Sequence, residues 1–309
     1  MKVLVSGDRV PERLARYCRE HGHELDHLAG AVTEEELRAR VADVEHYLLA
    51  GDEHLTAPVL RAARVLRCVS FAGVGAGSFV DLDAARRGSV TVLNTPGVNA
   101  AAVAEFAVGL ALGVARRLFP DLLGTGERVR TSAELTGSTV GVLGLGASGT
   151  ALARVLRLGF GCRVLYSSRT RKPDVERELG VVPVDPAGLF AECTTVFVCC
   201  ALTEETTGLV DDELLRPGPS PRFLVSTADP RVLDPAALRR ALDGGALTAV
   251  AMDGYFREPL PAPDADEHDL LRRPVFVTSH IAASSAGTWQ RMEDRAVDNL
   301  IDAIERERG

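Results

Sequence analysis

A histidine and a glutamate late in the chain have the side chains and the placement for acid–base chemistry. His280 follows the apolar run 275–278 in FVTSHIA, and Glu258 follows the run 247–252 in AMDGYFREPLP. If both runs are neighbouring parallel strands, both side chains lie at the end of the sheet that meets ligands. Histidine suits proton donation near neutral pH, and an adjacent carboxylate stabilises the imidazolium and fixes the ring. The pair predicts proton transfer to a reacting oxygen; from residue type alone, a capping or core histidine is the alternative.

A glycine-rich turn with the spacing G-x-G-x-x-G is formed by Gly144, Gly146 and Gly149. It follows the strand-like run TVGVL, opens a helical pattern and leads to a second strand-like run, CRVLYS, which is the context of a dinucleotide-binding turn. The first glycine permits the tight turn, the second lets a pyrophosphate approach the backbone, and the third lets helix and strand pack closely. The helix start at Ala147 and Ser148 then faces the phosphates.

The turn after that second strand indicates which dinucleotide is preferred. An acidic residue there would bind the adenine ribose hydroxyls and select NAD. Three hydroxyls and three cations stand there instead, namely Ser167, Ser168, Arg169, Thr170, Arg171 and Lys172. Such charge-assisted donors suit a 2′-phosphate. The sequence therefore predicts NADP as the cofactor, with NADPH preferred over NADH; a solvated basic turn is the alternative.

Three further stretches complete a resemblance to a known family. They are AMDGYFREPLP (251–261), FVTSHIAASS (276–285) and the stretch 71–106, which begins FAGVGAGSF. Together with the glycine turn they resemble the D-isomer-specific 2-hydroxyacid dehydrogenase family over nearly the whole chain. The basic turn is most similar to the NADPH-dependent glyoxylate/hydroxypyruvate reductase branch.

The resemblance implies catalytic and cofactor roles for the residues that match. His280 matches the family's catalytic acid/base histidine, and Glu258 matches the glutamate that hydrogen-bonds it. Asp253 matches an aspartate near the nicotinamide amide, and Thr203 matches a threonine on the cofactor side.

The resemblance also implies a substrate turn in the smaller domain. Gly73, Val74 and Gly75 match a turn whose backbone amides point at the substrate, and Trp289 is assigned to the substrate residues with them. The acidic residue usual in that turn is replaced by Gly77.

The family's substrate-binding arginine is missing. Aligned on Asp234, its position in the loop STADPR holds Asp229, and the following glycine's position holds Pro230. That arginine would fork onto a substrate carboxylate, and losing such a contact costs ~1.5–3 kcal/mol. We therefore place Asp229 in the catalytic site and predict a substrate that lacks the usual carboxylate, or carries an amine or iminium. Alternatively Arg231, assigned to the substrate site, replaces the cation, or Asp229 is only a solvated partner of Arg231.

The predicted function is thus an NADPH-dependent oxidoreductase that transfers hydride to a small carbonyl or imine substrate, atypical within its family and not acting on simple 2-oxo acids. One alternative is an ordinary glyoxylate or hydroxypyruvate reductase that uses Arg231. The other is a non-catalytic NADP(H)-binding sensor or interaction protein, because one branch of the family serves as dinucleotide-binding corepressors.

Alternating strands and helices must position these residues. This alternation predicts an α/β fold of two doubly wound parallel-sheet domains. A six-stranded Rossmann dinucleotide-binding domain, 99–283, is inserted in a flavodoxin-like substrate domain formed by 1–98 and 284–309. The apolar helix 99–120 must be buried by its own sheet or by a partner subunit. With the family resemblance, it predicts a homodimer.

Composition excludes several classes of partner. A net charge of −8 disfavours nucleic acid and anionic membrane. No run reaches the ~20 apolar residues of a membrane span, and the first residues do not resemble a signal peptide. Six scattered cysteines without metal-ligand spacing predict a reduced, cytoplasmic protein that holds no metal. Polar side chains in HGHELDH (21–27) are interpreted as solvated.

Overall fold

The computed structural model describes residues 1–118, 132–216, 218, 222–256 and 270–308. The chain divides into two compact units. The first comprises Met1–Asn99 with Ser285–Gly309, and the second comprises Ala100–Ser284. Each unit has its own parallel sheet and its own hydrophobic core, which is the predicted α/β class.

The strands of the described residues are β1 (Lys2–Ser6), β2 (Glu24–Leu28), β3 (His46–Leu49), β4 (Cys68–Phe71), β5 (Thr91–Leu93), β6 (Thr139–Leu143), β7 (Arg163–Ser167), β8 (Val182–Pro183), β9 (Thr195–Val198), β10 (Phe223–Ser226), β11 (Ala249–Asp253) and β12 (Val275–Thr278). The α-helices are α1 (Glu12–Glu20), α2 (Glu34–Arg40), α3 (Ala57–Ala62), α4 (Leu82–Arg87), α5 (Ala100–Ala115), α6 (Ala147–Gly159), α7 (Pro173–Leu179), α8 (Pro186–Glu192), α9 (Pro235–Asp243) and α10 (Ala286–Arg306). Short 3₁₀ helices cover Ala76–Ser78 and Pro230–Val232.

The five-stranded sheet of the first unit has the order β2-β1-β3-β4-β5, which is the flavodoxin-like order. Its central strands β3 and β4 are buried along their whole length, as expected for parallel strands covered on both faces. The last helix, α10, packs on these two strands, and the Ser70 hydroxyl donates to the carbonyl oxygen of Ala296 at 2.8 Å.

One strand of this sheet comes from a stretch in which the sequence indicates no strand. Glu24–Leu28, which overlaps HGHELDH (21–27), forms the edge strand β2, in register with β1. Only Leu28 of this strand is fully buried. The strand was missed because an edge strand needs one hydrogen-bonded neighbour rather than an apolar pattern.

The seven-stranded sheet of the second unit has the order β12-β11-β10-β9-β6-β7-β8. Counted from β6, this is the Rossmann order 3-2-1-4-5-6 with one further strand at the β12 edge. The sequence predicted six strands, and the additional one is β8. Its two residues, Val182 and Pro183, are both exposed, so no apolar run marks it.

The apolar helix α5 is buried within its own unit. It packs on α6 and on strands β10 and β11, and Val103, Leu110 and Val114 are among its buried side chains. Pro120, where the sequence predicts its end, lies outside the described residues. Among the residues that the structure describes, no helix has both the length and the apolar character needed to cross a membrane.

Candidate functional site

The loops that carry most of the candidate residues leave the same edge of the seven-stranded sheet. All of its strands run parallel, so their carboxyl ends meet on one side. Along this edge lie the carboxyl ends of β12, β11, β10, β9, β6 and β7 with the turns that follow them, and these carry His280, Asp253, Asp229, Thr203, Gly144 and Ser167 in that spatial order. The glycine turn therefore lies near the middle of this edge, and Asp229, Asp253 and His280 lie on the β12 side of it.

The glycine turn is constrained at two of its three glycines. Gly144 has a φ of +100°, and a Cβ there would lie 2.5 Å from the backbone nitrogen of Cys200. A Cβ on Gly149 would lie 2.0 Å from the carbonyl oxygen of Gly144, so the helix approaches the strand as closely as the fingerprint requires. The amide of Gly144 donates to the carbonyl oxygen of Ser167 at 2.7 Å, which ties the turn to β7.

The second glycine of the motif, Gly146, leaves open space. A Cβ on Gly146, the residue that precedes α6, would meet no atom within 4 Å. Ala147 and Ser148 form the first turn of this 13-residue helix, whose free amides and dipole favour an anion at that end. Space beside Gly146 and tight packing at its two partners fit a dinucleotide pyrophosphate.

The basic turn after β7 contains an ion pair that the sequence interpretation missed. Arg171 forks onto Glu176 of α7, with Nη2 2.9 Å from Oε2, and the Tyr166 hydroxyl donates to Oε1 of Glu176 at 2.6 Å. These hydrogen bonds lower the pKa of Glu176 below its usual value. A carboxylate thus stands beside the predicted 2′-phosphate site. No spacing rule pointed to Glu176, because it enters from the next helix.

The other residues of this turn differ in exposure. Ser167 is buried at the end of β7, and Ser168 is half-buried. Arg169 and Thr170 are exposed, and the side chain of Lys172 is half-buried while its amide donates to the Tyr166 hydroxyl at 3.0 Å.

Asp229 and Arg231 form a forked ion pair after β10. The Nε and Nη2 atoms of Arg231 lie 3.0 and 2.8 Å from Oδ1 and Oδ2 of Asp229. The Arg231 amide also donates to Oδ1 at 3.0 Å, because Asp229 caps the 3₁₀ helix Pro230–Val232. Burial raises the pKa of Asp229, but the hydrogen bonds from Arg231 and the charges of Arg231 and His280 outweigh it and lower the pKa below its usual value. Asp229 is therefore an ionised carboxylate within the electrostatic reach of the His280 imidazole.

The turn that carries His280 is held by Asp253. His280 is exposed and has a φ of +56°. Asp253 is only 4% exposed, and its Oδ1 accepts from the Thr278 hydroxyl at 2.6 Å and from the Ile281 amide at 2.8 Å. Its Oδ2 accepts from the Ala282 amide at 2.7 Å. The residue predicted to lie near the nicotinamide amide thus contacts the histidine's own turn.

Glu258 and Thr203 are the two remaining candidates from the sequence for catalysis and cofactor binding. Glu258, the predicted partner of His280, lies outside the described residues. Thr203 begins a turn after β9, where its hydroxyl donates to Oε2 of Glu205 at 2.7 Å. The thiols of Cys199 and Cys200 are free, and burial raises the pKa of Cys199 to about 12 and that of Cys200 to about 11, so both stay protonated near neutral pH.

The predicted substrate turn of the first unit follows β4. The Gly73 carbonyl accepts from the amide and hydroxyl of Thr95 at 2.9 and 3.0 Å, and the Val74 carbonyl accepts from the Asn94 side chain at 2.6 Å. The amides of Gly73, Val74 and Gly75 donate no hydrogen bond to any described residue. The turn is thus fixed through its carbonyls, which leaves its amides available to a ligand.

Trp289 lines a cavity of about 440 Å³ within the first unit. Segments after β1 and β3, including Asp8 and Asp52, form its other walls together with the start of α10. Trp289 is 48% exposed, and the ion pair between Arg9 and Glu293, with N and O 2.6 Å apart, borders the cavity. The cavity lies at the carboxyl ends of β1 and β3, where the order of this sheet reverses.

Comparison with known proteins identifies relatives over most of the chain. Residues 114–282 match the family model described as "D-isomer specific 2-hydroxyacid dehydrogenase, NAD binding domain". A glyoxylate reductase of Thermococcus kodakarensis is 32% identical over 305 residues, which cover 94% of this chain and 90% of that protein. A D-3-phosphoglycerate dehydrogenase of Archaeoglobus fulgidus is 33% identical over 92% of this chain and 54% of its own length.

Solved structures share the fold of both units. A protein of Thermus thermophilus superposes with a TM-score of 0.81 and 31% identity, over 99% of this chain and 97% of that one. A glyoxylate reductase of Paecilomyes thermophila has a TM-score of 0.84 at 24% identity, which is a likeness of fold.

Proposed function

This chain belongs to the D-isomer-specific 2-hydroxyacid dehydrogenase family, and we propose that it is an NADPH-dependent reductase that acts on a carbonyl or imine substrate other than a simple 2-oxo acid. Membership makes the chain an oxidoreductase of the kind that acts on the CH–OH groups of hydroxyacids with a nicotinamide cofactor. The cofactor preference, the proton donor and the substrate are the proposed parts.

Proton donation is assigned to His280. The glycine turn would hold the reduced dinucleotide, which would supply hydride there, and the oxygen or nitrogen of the reduced substrate group would then need a proton. His280 is exposed at the edge of the sheet onto which that turn opens, so its imidazole is accessible to a ligand there. Imidazole is the side chain whose pKa best suits this task near neutral pH. Glu258 is assigned to hold the imidazolium, as the resemblance implies.

The forked pair of Asp229 and Arg231 carries the substrate assignment. The family's arginine offers a net positive charge at this position, whereas the pair here has a net charge of zero and an ionised carboxylate. A plain 2-oxo acid would have to draw Arg231 away and then lie beside Asp229, and two like charges ~4 Å apart repel each other by about 4 kcal/mol at an effective dielectric constant near 20. A neutral carbonyl, or an imine that carries positive charge, avoids both costs.

NADPH preference rests on the basic turn after β7. Its six residues contain three cations and no carboxylate. Glu176 engages Arg171, so Arg169 and Lys172 are the cations that we assign first to the 2′-phosphate. Comparing KM for NADPH and NADH tests this assignment, and equal or better use of NADH would contradict it.

A second candidate is an ordinary glyoxylate or hydroxypyruvate reductase in which Arg231 binds the substrate carboxylate. Relatives named glyoxylate reductase favour it. So does the exposure of the Arg231 side chain, which is 61%. Arg231 is the exposed partner of the pair, whereas the Asp229 side chain is 27% exposed, so a well-placed ligand can compete with Asp229 for the guanidinium.

We also propose that the protein works as a homodimer, which the family resemblance supports. Light scattering coupled to gel filtration tests this directly. A mass near 66 kDa, twice the 32.9 kDa of one chain, is the expected result.

Consumption of NADPH against a panel of ketones, keto acids and imines tests the proposed function. The wild-type protein is expected to turn over at least one substrate without a carboxylate. His280→Ala is expected to abolish turnover while NADPH binding remains. Tight NADPH binding without any turnover by the wild-type protein would instead indicate a sensor.

A further inference from the structure

The backbone at His280 adopts a conformation that its surroundings must enforce. Its φ of +56° lies in the left-handed region, which residues with a side chain seldom adopt. A residue held in that region commonly marks a functional turn. The strand β12 ends two residues earlier at Thr278, so regular sheet hydrogen bonding does not fix this conformation.

The buried carboxylate of Asp253 accepts hydrogen bonds from residues on both sides of His280. Asp253 accepts from the Thr278 hydroxyl two residues before it, and from the amides of Ile281 and Ala282 one and two residues after it, all between 2.6 and 2.8 Å. The Gly254 amide donates to the Thr278 carbonyl oxygen at 2.8 Å, which joins the end of β11 to the end of β12. Asp253 therefore bridges the three residues that determine where His280 points.

We propose that Asp253 is a positioning residue that holds His280 in its left-handed turn and so aims the imidazole at the reacting group. The proposal rests on the proposed function, because it needs His280 as the proton donor. It assigns Asp253 to the histidine's turn, whereas the family resemblance places this residue beside the nicotinamide amide.

The chemistry of the site requires a carboxylate. Three donors converge on Asp253, and an ionised carboxylate accepts from all of them without presenting a hydrogen of its own. An asparagine has one oxygen and one NH2 group, so its NH2 would face the amide of Ile281 or Ala282. At 4% exposure, water cannot compensate for that mismatch, and the turn has to open.

The two roles of Asp253 predict different kinetics. If Asp253 positions His280, its loss lowers kcat at saturating NADPH, while the dissociation constant for NADPH hardly changes. If Asp253 instead binds the cofactor, its loss weakens NADPH binding and leaves kcat at saturation nearly intact.

Asp253→Asn, Thr278→Val and Thr278→Ser form a graded set for the test. Amide hydrogen exchange at Ile281 and Ala282 is measured on the full chain without substrate, with circular dichroism and melting temperature as checks on folding. We expect Asp253→Asn to speed exchange at both amides by about tenfold or more, the consequence of losing a charge-assisted hydrogen bond. Thr278→Val should speed it less, and Thr278→Ser, which keeps the hydroxyl, should resemble the wild-type protein.

Kinetics then decides the role. We expect Asp253→Asn to lower kcat by about tenfold or more at saturating NADPH, with the NADPH dissociation constant within about threefold of the wild-type value. Unchanged exchange at Ile281 and Ala282 would overturn the proposal, and so would weaker NADPH binding with unchanged kcat. If Asp253→Asn does not fold, the difference between Thr278→Val and Thr278→Ser in exchange and kcat decides it, and equal behaviour overturns the proposal.

A failure of the proposed function can be told apart from a failure of this inference. Absence of turnover by the folded wild-type protein would contradict the reductase function. The exchange measurement needs no substrate, so it separately shows whether Asp253 holds the His280 turn.

Discussion

The guanidinium group of Arg231 forks onto the carboxylate of Asp229, with Nε–Oδ1 and Nη2–Oδ2 distances of 3.0 and 2.8 Å. This pair stands after β10, where the family resemblance expects a free arginine. The cation of this loop, Arg231, is therefore paired with the neighbouring carboxylate of Asp229.

Removing the carboxylate should release that cation. Asp229→Ala is expected to raise kcat/KM for glyoxylate by about tenfold to a hundredfold, because a freed Arg231 offers a charge-assisted contact of ~1.5–3 kcal/mol. Arg231→Ala alone should lower glyoxylate reduction, because the Asp229 carboxylate then faces the substrate without its counter-charge, and the double variant should lose the gain. An ordinary reductase predicts instead that Asp229→Ala changes KM little, while Arg231→Ala raises it strongly.

Two glycines of the dinucleotide turn should respond differently to the same added methyl group. Gly146→Ala places its Cβ in open space, so the melting temperature should hold while NADPH binding weakens. Gly149→Ala places its Cβ 2.0 Å from the Gly144 carbonyl oxygen, so the fold itself should be destabilised. Thermal melts and fluorescence titration with NADPH measure both effects. Unchanged NADPH binding by Gly146→Ala would contradict the assignment of the open space to the pyrophosphate, and equal effects of the two variants on melting would contradict the difference in packing.

Cofactor choice should depend on Arg169 and on the Glu176 carboxylate. Arg169→Ala is expected to weaken NADPH binding by about tenfold or more, the cost of losing a contact to a phosphate, and to leave NADH binding unchanged. Glu176→Gln should tighten NADPH binding, since Arg171 is then free to reach the 2′-phosphate. NADH serves as the matched control in calorimetric titrations. Parallel changes for the two dinucleotides would show that the turn does not discriminate between them.

A buried histidine should make stability depend on pH. His46 is fully buried, with its Nε2 3.4 Å from a carboxylate oxygen of Glu307. Burial and the charge of Arg67 lower the pKa of His46, and they outweigh the opposing charges of Glu307 and Glu45. The unfolded chain therefore takes up this proton first, so stability should fall as the pH drops below about 6.5, by at most about 1.4 kcal/mol per pH unit. Urea unfolding at several pH values should show a shallower dependence for His46→Gln, and an equal slope would assign the effect to other groups.

The sequence predicted those elements whose whole motif lies within one continuous stretch of the chain. The run TVGVL, the three glycines and the helix after them identify their own structure, because one stretch of chain contains the whole motif. Strand β2 was missed because its partner β1, rather than its own residues, makes it a strand. The hydrogen bonds that Asp253 accepts from the turn of His280 depend on β11 and β12 lying side by side. No spacing along the chain reveals that pairing.

The Asp229–Arg231 pair was the alternative that loop chemistry alone could not settle. Both the interpretation of Asp229 as a substrate-facing carboxylate and its interpretation as a partner of Arg231 were compatible with the loop STADPR. The structure contains the ion pair.

Matched substrate pairs test the central claim most directly. In each pair a CH2OH group replaces the carboxylate, as in glyoxylate with glycolaldehyde and hydroxypyruvate with dihydroxyacetone, and NADPH consumption gives kcat/KM for both members. The neutral Asp229–Arg231 pair predicts equal or higher kcat/KM for the member without a carboxylate. A preference of about tenfold or more for glyoxylate or hydroxypyruvate would contradict the account and establish an ordinary 2-oxo acid reductase.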